Sequence, residues 1–144
     1  MQVKDVMTKG VECVLPDQSI AQAAQRMRKL NIGALPVCGE NDKLMGMITD
    51  RDITVRAIAE SCEPDDTCVR EVMTPRIQFC FDDQDVTAAA ELMEEKQIRR
   101  LAVLDHDKRL VGILSLGDLA VKTADDRLSG EALERVSQPA RPLR

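Results

Sequence analysis

Aromatic side chains are almost missing from this chain. Phe79 and Phe81 are the only two in 144 residues, with no Trp or Tyr. Packing therefore rests on Leu, Ile, Val, Ala and seven Met, and no ladder of rings exists on which single-stranded bases could stack. Positive charge is not in excess either. The net charge of −5 and a pI near 5.0 exclude the basic surface that a nucleic-acid backbone requires. No apolar run approaches the roughly eighteen residues of a membrane span. Met1-Gln2-Val3-Lys4-Asp5 does not open as a secretory leader, so the cytoplasm is the expected compartment. Five cysteines (Cys13, Cys38, Cys62, Cys68, Cys80) occur without Cys-x-x-Cys spacing. The absence of that spacing excludes a zinc ribbon or a thioredoxin-type motif, and in a reducing compartment most are expected as free thiols. The one histidine, His106, sits in the charged turn Asp105-His106-Asp107-Lys108 and reads as a solvated loop residue. A nucleophilic cysteine lacks a base nearby, and no metal-ligand or paired-acid spacing stands out, so catalysis is not expected.

What the chain does contain is a repeated corner. Gly46-Met47-Ile48-Thr49-Asp50-Arg51-Asp52 and Gly112-Ile113-Leu114-Ser115-Leu116-Gly117-Asp118 lie sixty-six residues apart. Each reads as the end of a buried strand, a hydroxyl residue that caps a helix, and an Asp in the first helical turn. Such a turn presents backbone N–H groups to a phosphate, and its carboxylate presents two acceptors to the hydroxyls of a ribose. Ser/Thr-x-x-Asp is equally a capping box that closes the helix on itself. A second copy in the same frame favours the ligand reading.

Around the corners the chain predicts β-α-β-β-α twice. Val3 to Thr8 is a short lead-in, expected as one helical turn. Val11 to Leu15 reads as a strand stopped by Pro16. Ser19 and Gln22 form a capping box for a helix whose apolar positions (Ile20, Ala23, Ala24, Met27, Leu30) follow a 3.6-residue period. Asn31-Ile32-Gly33 ends it. Strands at 34–38 and 43–48 flank the turn at 39–42, and the Thr49 corner opens a second helix to about Ser61. The acidic segment 63–68 joins the halves. From Val69 the pattern restarts without a gap. Val6-Met7-Thr8 matches Val72-Met73-Thr74, Ala23-Ala24 matches Ala89-Ala90, and Met27, Ile32, Leu35 and Val37 match Met93, Ile98, Leu101 and Val103. The expected organisation is repeat 1 over 1–62, a linker over 63–68, repeat 2 over 69–128 and a partly disordered tail over 129–144. Ser129-Gly130 reads as a break, Glu131 to Val136 as a helical turn, and Pro139 and Pro142 as part of a frayed end. The fold class is α/β (α+β), two repeats packed about a pseudo-twofold axis with their corners on a shared cleft.

Two tandem β-α-β-β-α halves, each opened by Val-Met-Thr and closed by Gly-x-hydrophobic-Thr/Ser-x-x-Asp, resemble a CBS-domain pair, or Bateman module. The resemblance covers about residues 1 to 125. The first half, through Asn31 to Gly39 and Gly46 to Asp52, is similar to stand-alone bacterial pairs of the hypoxic-response type. The resemblance implies a non-catalytic regulatory module that binds an adenosine-containing compound (AMP, ADP, ATP, S-adenosylmethionine or NAD) between the repeats and requires no cofactor. It implies ribose contacts from Asp52 and Asp118, with Thr49 and Ser115 on the ribose-phosphate side. It further implies Arg51 and the pair Arg99-Arg100 as cations for the phosphates, since a guanidinium grips them in a fork; without the resemblance, Arg99-Arg100 reads equally as a solvated strand edge. The adenine is expected near Val11, Cys13, Leu35 and Pro36 in one half and Ile77, Phe79, Leu101 and Ala102 in the other. It also implies a homodimer through the long helices, with Ile53, Val55, Ala57 and Ile58 on a second buried face, and an unknown regulated protein as a further partner. An alternative reading makes Cys13 and Cys38, which the family fold brings close, a redox or metal-responsive pair in a protein whose nucleotide sites are degenerate.

Overall fold

The computed structural model of the chain describes residues 1–123 and 126–138. The lead-ins form single helical turns, α1 (Val3–Val6) and α4 (Val69–Val72). Helix α2 (Ile20–Leu30) starts on the expected capping box: Ser19 Oγ accepts from Gln22 N, and Gln22 reaches back to Ser19 N at 2.9 Å. It stops where Asn31 turns left-handed at φ 55°, a conformation asparagine tolerates. Its copy α5 (Val86–Lys96) is capped by Asp85, which accepts from Thr87 N, and ends on Gln97 at φ 52°. Strands β1 (Ala34–Cys38) and β2 (Leu44–Thr49) pair antiparallel, and β2 pairs antiparallel with β3 (Thr74–Pro75). The second sheet runs in the order β4 (Phe79–Phe81), β5 (Arg100–Leu104), β6 (Leu110–Ser115), with β4 and β5 parallel. Past each corner lie α3 (Asp50–Asp52), which runs on into a π-helical stretch over Ile53–Ile58, and α6 (Leu116–Lys122).

One predicted strand is reduced. Val11 to Leu15 makes a single parallel bridge, Val14 to Val37, held by Val14 N to Pro36 O at 2.9 Å and Cys38 N to Val14 O at 3.1 Å. Pro16, which has no N–H, stands two residues on and leaves no room for a longer ladder. In the second repeat the same place holds β4.

The chain divides into two compact units that cross the sequence halves. Of the described residues, one comprises Met1–Val11, Gln78–Asp107 and those over 111–138; the other comprises Glu12–Ile77 with Lys108–Leu110. Each lead-in is thus packed in the unit built mainly by the opposite repeat. The backbone bonds that dock them are copies of one another. Val3 N donates to Gln84 O and Lys4 N to Asp82 O, and sixty-six residues on, Val69 N donates to Gln18 O and Arg70 N to Pro16 O. In the first unit Val3, Val6 and Met7 join Ala89, Ala90, Met93, Leu101, Val103, Leu114 and Leu119 in one core. In the second, Val69 and Val72 join Ile20, Ala23, Met27, Leu35, Val37, Ile48 and Ala57. Glycine is required where a lead-in crosses a strand. A Cβ on Gly46 would stand 2.4 Å from Thr74 O, and one on Gly112 2.8 Å from Thr8 O.

The helical turn expected over 131–136 is the end of a longer helix, and the expected break before it is absent. Residues 126–136 form α7 (Asp126–Val136), so Ser129-Gly130 lies inside a helix. Ala132 and Val136 are buried, and Leu128 packs on the same core. Gln97 Nε2 donates to Arg135 O at 3.4 Å and Gln138 O at 3.2 Å, and Arg135 pairs with Glu94 at 3.7 Å. Burial of that stripe outweighs the cost of one helical glycine, about 1 kcal/mol. Pro139 and Pro142 lie outside the described residues.

Candidate functional site

The two corners have the same backbone. Thr49 sits at φ −117°, ψ 162° and Ser115 at φ −117°, ψ 163°. In each, the hydroxyl oxygen accepts from the Asp N–H (Thr49 Oγ1 from Asp52 N at 3.0 Å, Ser115 Oγ from Asp118 N at 3.1 Å). In return one carboxylate oxygen accepts from the hydroxyl residue's N–H, at 3.0 Å in both. Both carboxylates are therefore turned onto their own backbone as capping boxes. The capping reading of Ser/Thr-x-x-Asp is real in this structure, and it consumes Oδ2 of each acid.

Oδ1 differs between the corners. Among the described residues Asp52 Oδ1 has only Arg56, four residues on, with Nε at 3.7 Å; Arg56 Nη1 also donates to Met73 O at 3.2 Å. Asp118 Oδ1 accepts from Thr8 Oγ1 at 3.2 Å and faces Lys122 Nζ at 3.2 Å. Asp118 is the one buried charged residue of the described chain. Thr8, Arg56 and Lys122 were not singled out from sequence. The two cations were legible as i, i+4 partners of the acids. Thr8 was not, because a hydroxyl 110 residues away carries no local signal.

The residue just before the neighbouring strand, β1 or β5, also reaches each corner. Asp50 N donates to Gly33 O at 2.9 Å, and Leu116 N donates to Arg99 O at 3.0 Å. Gly33 is close-packed: a Cβ there would meet Asp50 Oδ2 at 2.9 Å. The second repeat has Leu116 in place of that acid and Arg99 in place of the glycine. Arg51, Arg99 and Arg100 are exposed; among the described residues their side chains make no hydrogen bond or ion pair.

The residues expected near a base are divided between the units. Cys13, Leu35, Pro36 and Ile77 belong with Thr49, Arg51 and Asp52, while Val11, Phe79, Leu101 and Ala102 belong with Arg99, Arg100, Ser115 and Asp118. Leu35 and Leu101 are fully buried and serve the cores. Phe79 is 39% exposed, its ring edge-on to Phe81 at 5.7 Å. Of the four positions expected on a second helix face, Ile53 and Ala57 pack into the core, whereas Val55 and Ile58 stay exposed. His106 is exposed as expected; its Nε2 lies 2.6 Å from Asp83 Oδ2, and its ring stacks on Phe81. Among the described residues no group of three or more His, Cys, Asp or Glu is placed to hold a metal.

The CBS domain family matches residues 3–58 and 69–124. The chain belongs to the CBS-domain family. A curated relative, CBS domain-containing protein YhcV of Bacillus subtilis, is 42% identical over 94% of each chain. Among solved structures, hypoxic response protein I, whose crystal structure carries two coordinated zinc ions, is 38% identical with a TM-score of 0.76 over 83% of this chain and 97% of its own. CBSX2 of Arabidopsis thaliana, crystallised in complex with AMP, is 29% identical with a TM-score of 0.72 over 83% of this chain and 93% of its own. These likenesses agree with the tandem CBS-pair fold expected from the sequence. They do not favour the alternative of a cysteine-based sensor with degenerate nucleotide sites.

Proposed function

We propose that this chain is a regulatory module that binds an adenosine-containing compound at its Thr49–Asp52 and Ser115–Asp118 corners. One observation carries the reading: the corners share one backbone geometry, and each retains a carboxylate oxygen that the cap does not use. A ribose hydroxyl would donate to Asp52 Oδ1 or Asp118 Oδ1. The cations now facing those oxygens are about half exposed, 51% for Arg56 and 41% for Lys122, so they can swing away to a phosphate, and the Thr8 hydroxyl beside Asp118 Oδ1 leaves that oxygen a further lone pair. Arg51, Arg99 and Arg100 are free cations for the same purpose, and a clustered pair of guanidinium groups suits a multiply charged phosphate. The base would lie against the backbone of 35–36 or 101–102 and the adjoining segments at Val11–Cys13 and Ile77–Phe79.

In this reading the duplicated units are repeats 1–62 and 69–128, joined by 63–68. The protein acts without catalysis, in the cytoplasm, by passing a ligand-dependent shift in conformation to a partner. Such a shift requires that the ligand bind one conformation better than another. Val55, Ile58 and Val121, exposed apolar residues on or beside the two corner helices, support a homodimer through those helices. A thermal-shift screen against AMP, ADP, ATP, NAD and S-adenosylmethionine tests the reading. At least one should raise the melting temperature in proportion to the logarithm of its concentration above Kd. A flat response to all five contradicts it.

A further inference from the structure

Two of the five thiols meet. Cys13 lies just before the Val14 bridge and Cys38 ends β1, and their Sγ atoms are 2.6 Å apart. The approach is set by backbone: Val14 N to Pro36 O and Cys38 N to Val14 O hold the two segments in register. Arg26 steadies the same stretch, with Nη1 donating to Cys13 O at 2.7 Å and Nε 3.6 Å from Glu12. A disulfide bond is about 2.05 Å long, so closure needs a movement of only about half an ångström. No other pair of cysteine sulfurs is in contact among the described residues. The pair is also not part of the duplicated frame, because Phe79 and Leu104 stand at the matching positions of the second repeat.

We propose that Cys13 and Cys38 form a reversible disulfide, made by exchange with a small-molecule disulfide of the glutathione class. Cys13 is partly exposed and Cys38 is buried, which fixes the order of events. The Cys13 thiolate attacks one sulfur of the oxidant, forming a mixed disulfide and releasing one thiolate. Cys38 then gives up its proton and attacks the Cys13 sulfur, expelling the second small thiol. Two protein thiols become one disulfide as one small disulfide becomes two thiols, so electrons and protons balance. The acidities agree: the Cys38 S–H hydrogen bond holds Cys13 below its ordinary value and Cys38 above it. Cys80, by contrast, is pushed up to about 12 by burial and is inert. The bond would fasten residues 11–14, now held by one bridge, to the end of β1. It does not depend on the nucleotide reading, although under that reading it fixes one wall of the first-repeat site.

Oxidation with glutathione disulfide, alkylation under denaturing conditions and peptide mapping test this. The oxidised chain should lose the mass of two hydrogens, with Cys62, Cys68 and Cys80 alkylated and Cys13 linked to Cys38. Dithiothreitol should reverse the change, and the oxidised form should melt about 5 °C or more higher. Cys38→Ala should trap a glutathione adduct on Cys13, and Cys13→Ser, at a partly exposed position, should abolish both the bond and the shift. Five alkylated cysteines after oxidation, or a link between any other pair, would overturn the proposal.

Discussion

Thr8 and Thr74 occupy matching positions sixty-six residues apart, yet only Thr8 makes a side-chain hydrogen bond, to Asp118. Thr8→Val should therefore cost about 1 kcal/mol in urea denaturation, the worth of one such bond at a partly exposed site. Thr74→Val should change stability by less than about 0.5 kcal/mol. Equal effects would mean that the asymmetry between the corners is not energetic. His106 gives a second test at this scale. The Asp83 carboxylate raises the pKa of His106 above its ordinary 6.5, and His106 lowers that of Asp83 below 3.8; Asp82 and Asp105 add to the rise. Sign follows from direction. The histidine's share of stability is complete below pH 6.5 and is lost as pH climbs through its raised value. The aspartate's share is complete above pH 3.8 and is lost as pH falls through its lowered one. Both groups are exposed, so the effect on stability is small and salt-sensitive. A proton-NMR titration should place the His106 midpoint above 6.5 and bring it back toward 6.5 in Asp83→Asn. A wild-type midpoint at or below 6.5 would contradict the pairing.

At the scale of elements, α7 is the feature that most changes the second repeat's core. Ending the chain after Thr123 uncovers the surface that Leu128, Ala132 and Val136 bury. It should destabilise the protein by about 2–4 kcal/mol, on the order of one or two buried aliphatic side chains, measured as a lowered urea midpoint. An unchanged midpoint would mean that α7 is not part of the folded unit. Its second half was legible as a helical turn over 131–136, but its start was not, because Ser129-Gly130 looks like a stop while the compensating contacts, Gln97 to Arg135 O among them, are distant in sequence. The helices α2 and α5 were legible from the Ser19–Gln22 box, the Asp85 cap and the 3.6-residue spacing. Their left-handed ends at Asn31 and Gln97 follow the same frame. The first strand was over-read, since Val11 to Leu15 alternates like β4 but Pro16 limits it to one bridge. The corners were legible in position and type. What sequence did not disclose is that each Asp spends one oxygen on its own cap.

At the scale of the whole molecule, the exact repeat spacing announced two like halves but not which lead-in packs in which unit. A translation of sixty-six residues reads the same either way. The structure places Val3, Val6 and Met7 in the core of the second repeat, and Val69 and Val72 in that of the first. Residues 1–62 expressed alone should therefore unfold without a sharp transition, because the core they build lacks Val69 and Val72. A cooperative melt of that fragment would contradict the exchange of lead-ins. The functional account rests on the remaining oxygens of Asp52 and Asp118. Calorimetric titration of AMP into the wild-type chain, Asp52→Asn and Asp118→Asn tests it most directly, since asparagine keeps one acceptor for the cap and loses the charge. Saturable binding is expected in the wild type, weakened by about 1–3 kcal/mol, roughly 5- to 150-fold, in at least one variant. No binding heat in the wild type, or the same affinity in all three proteins, would contradict the account.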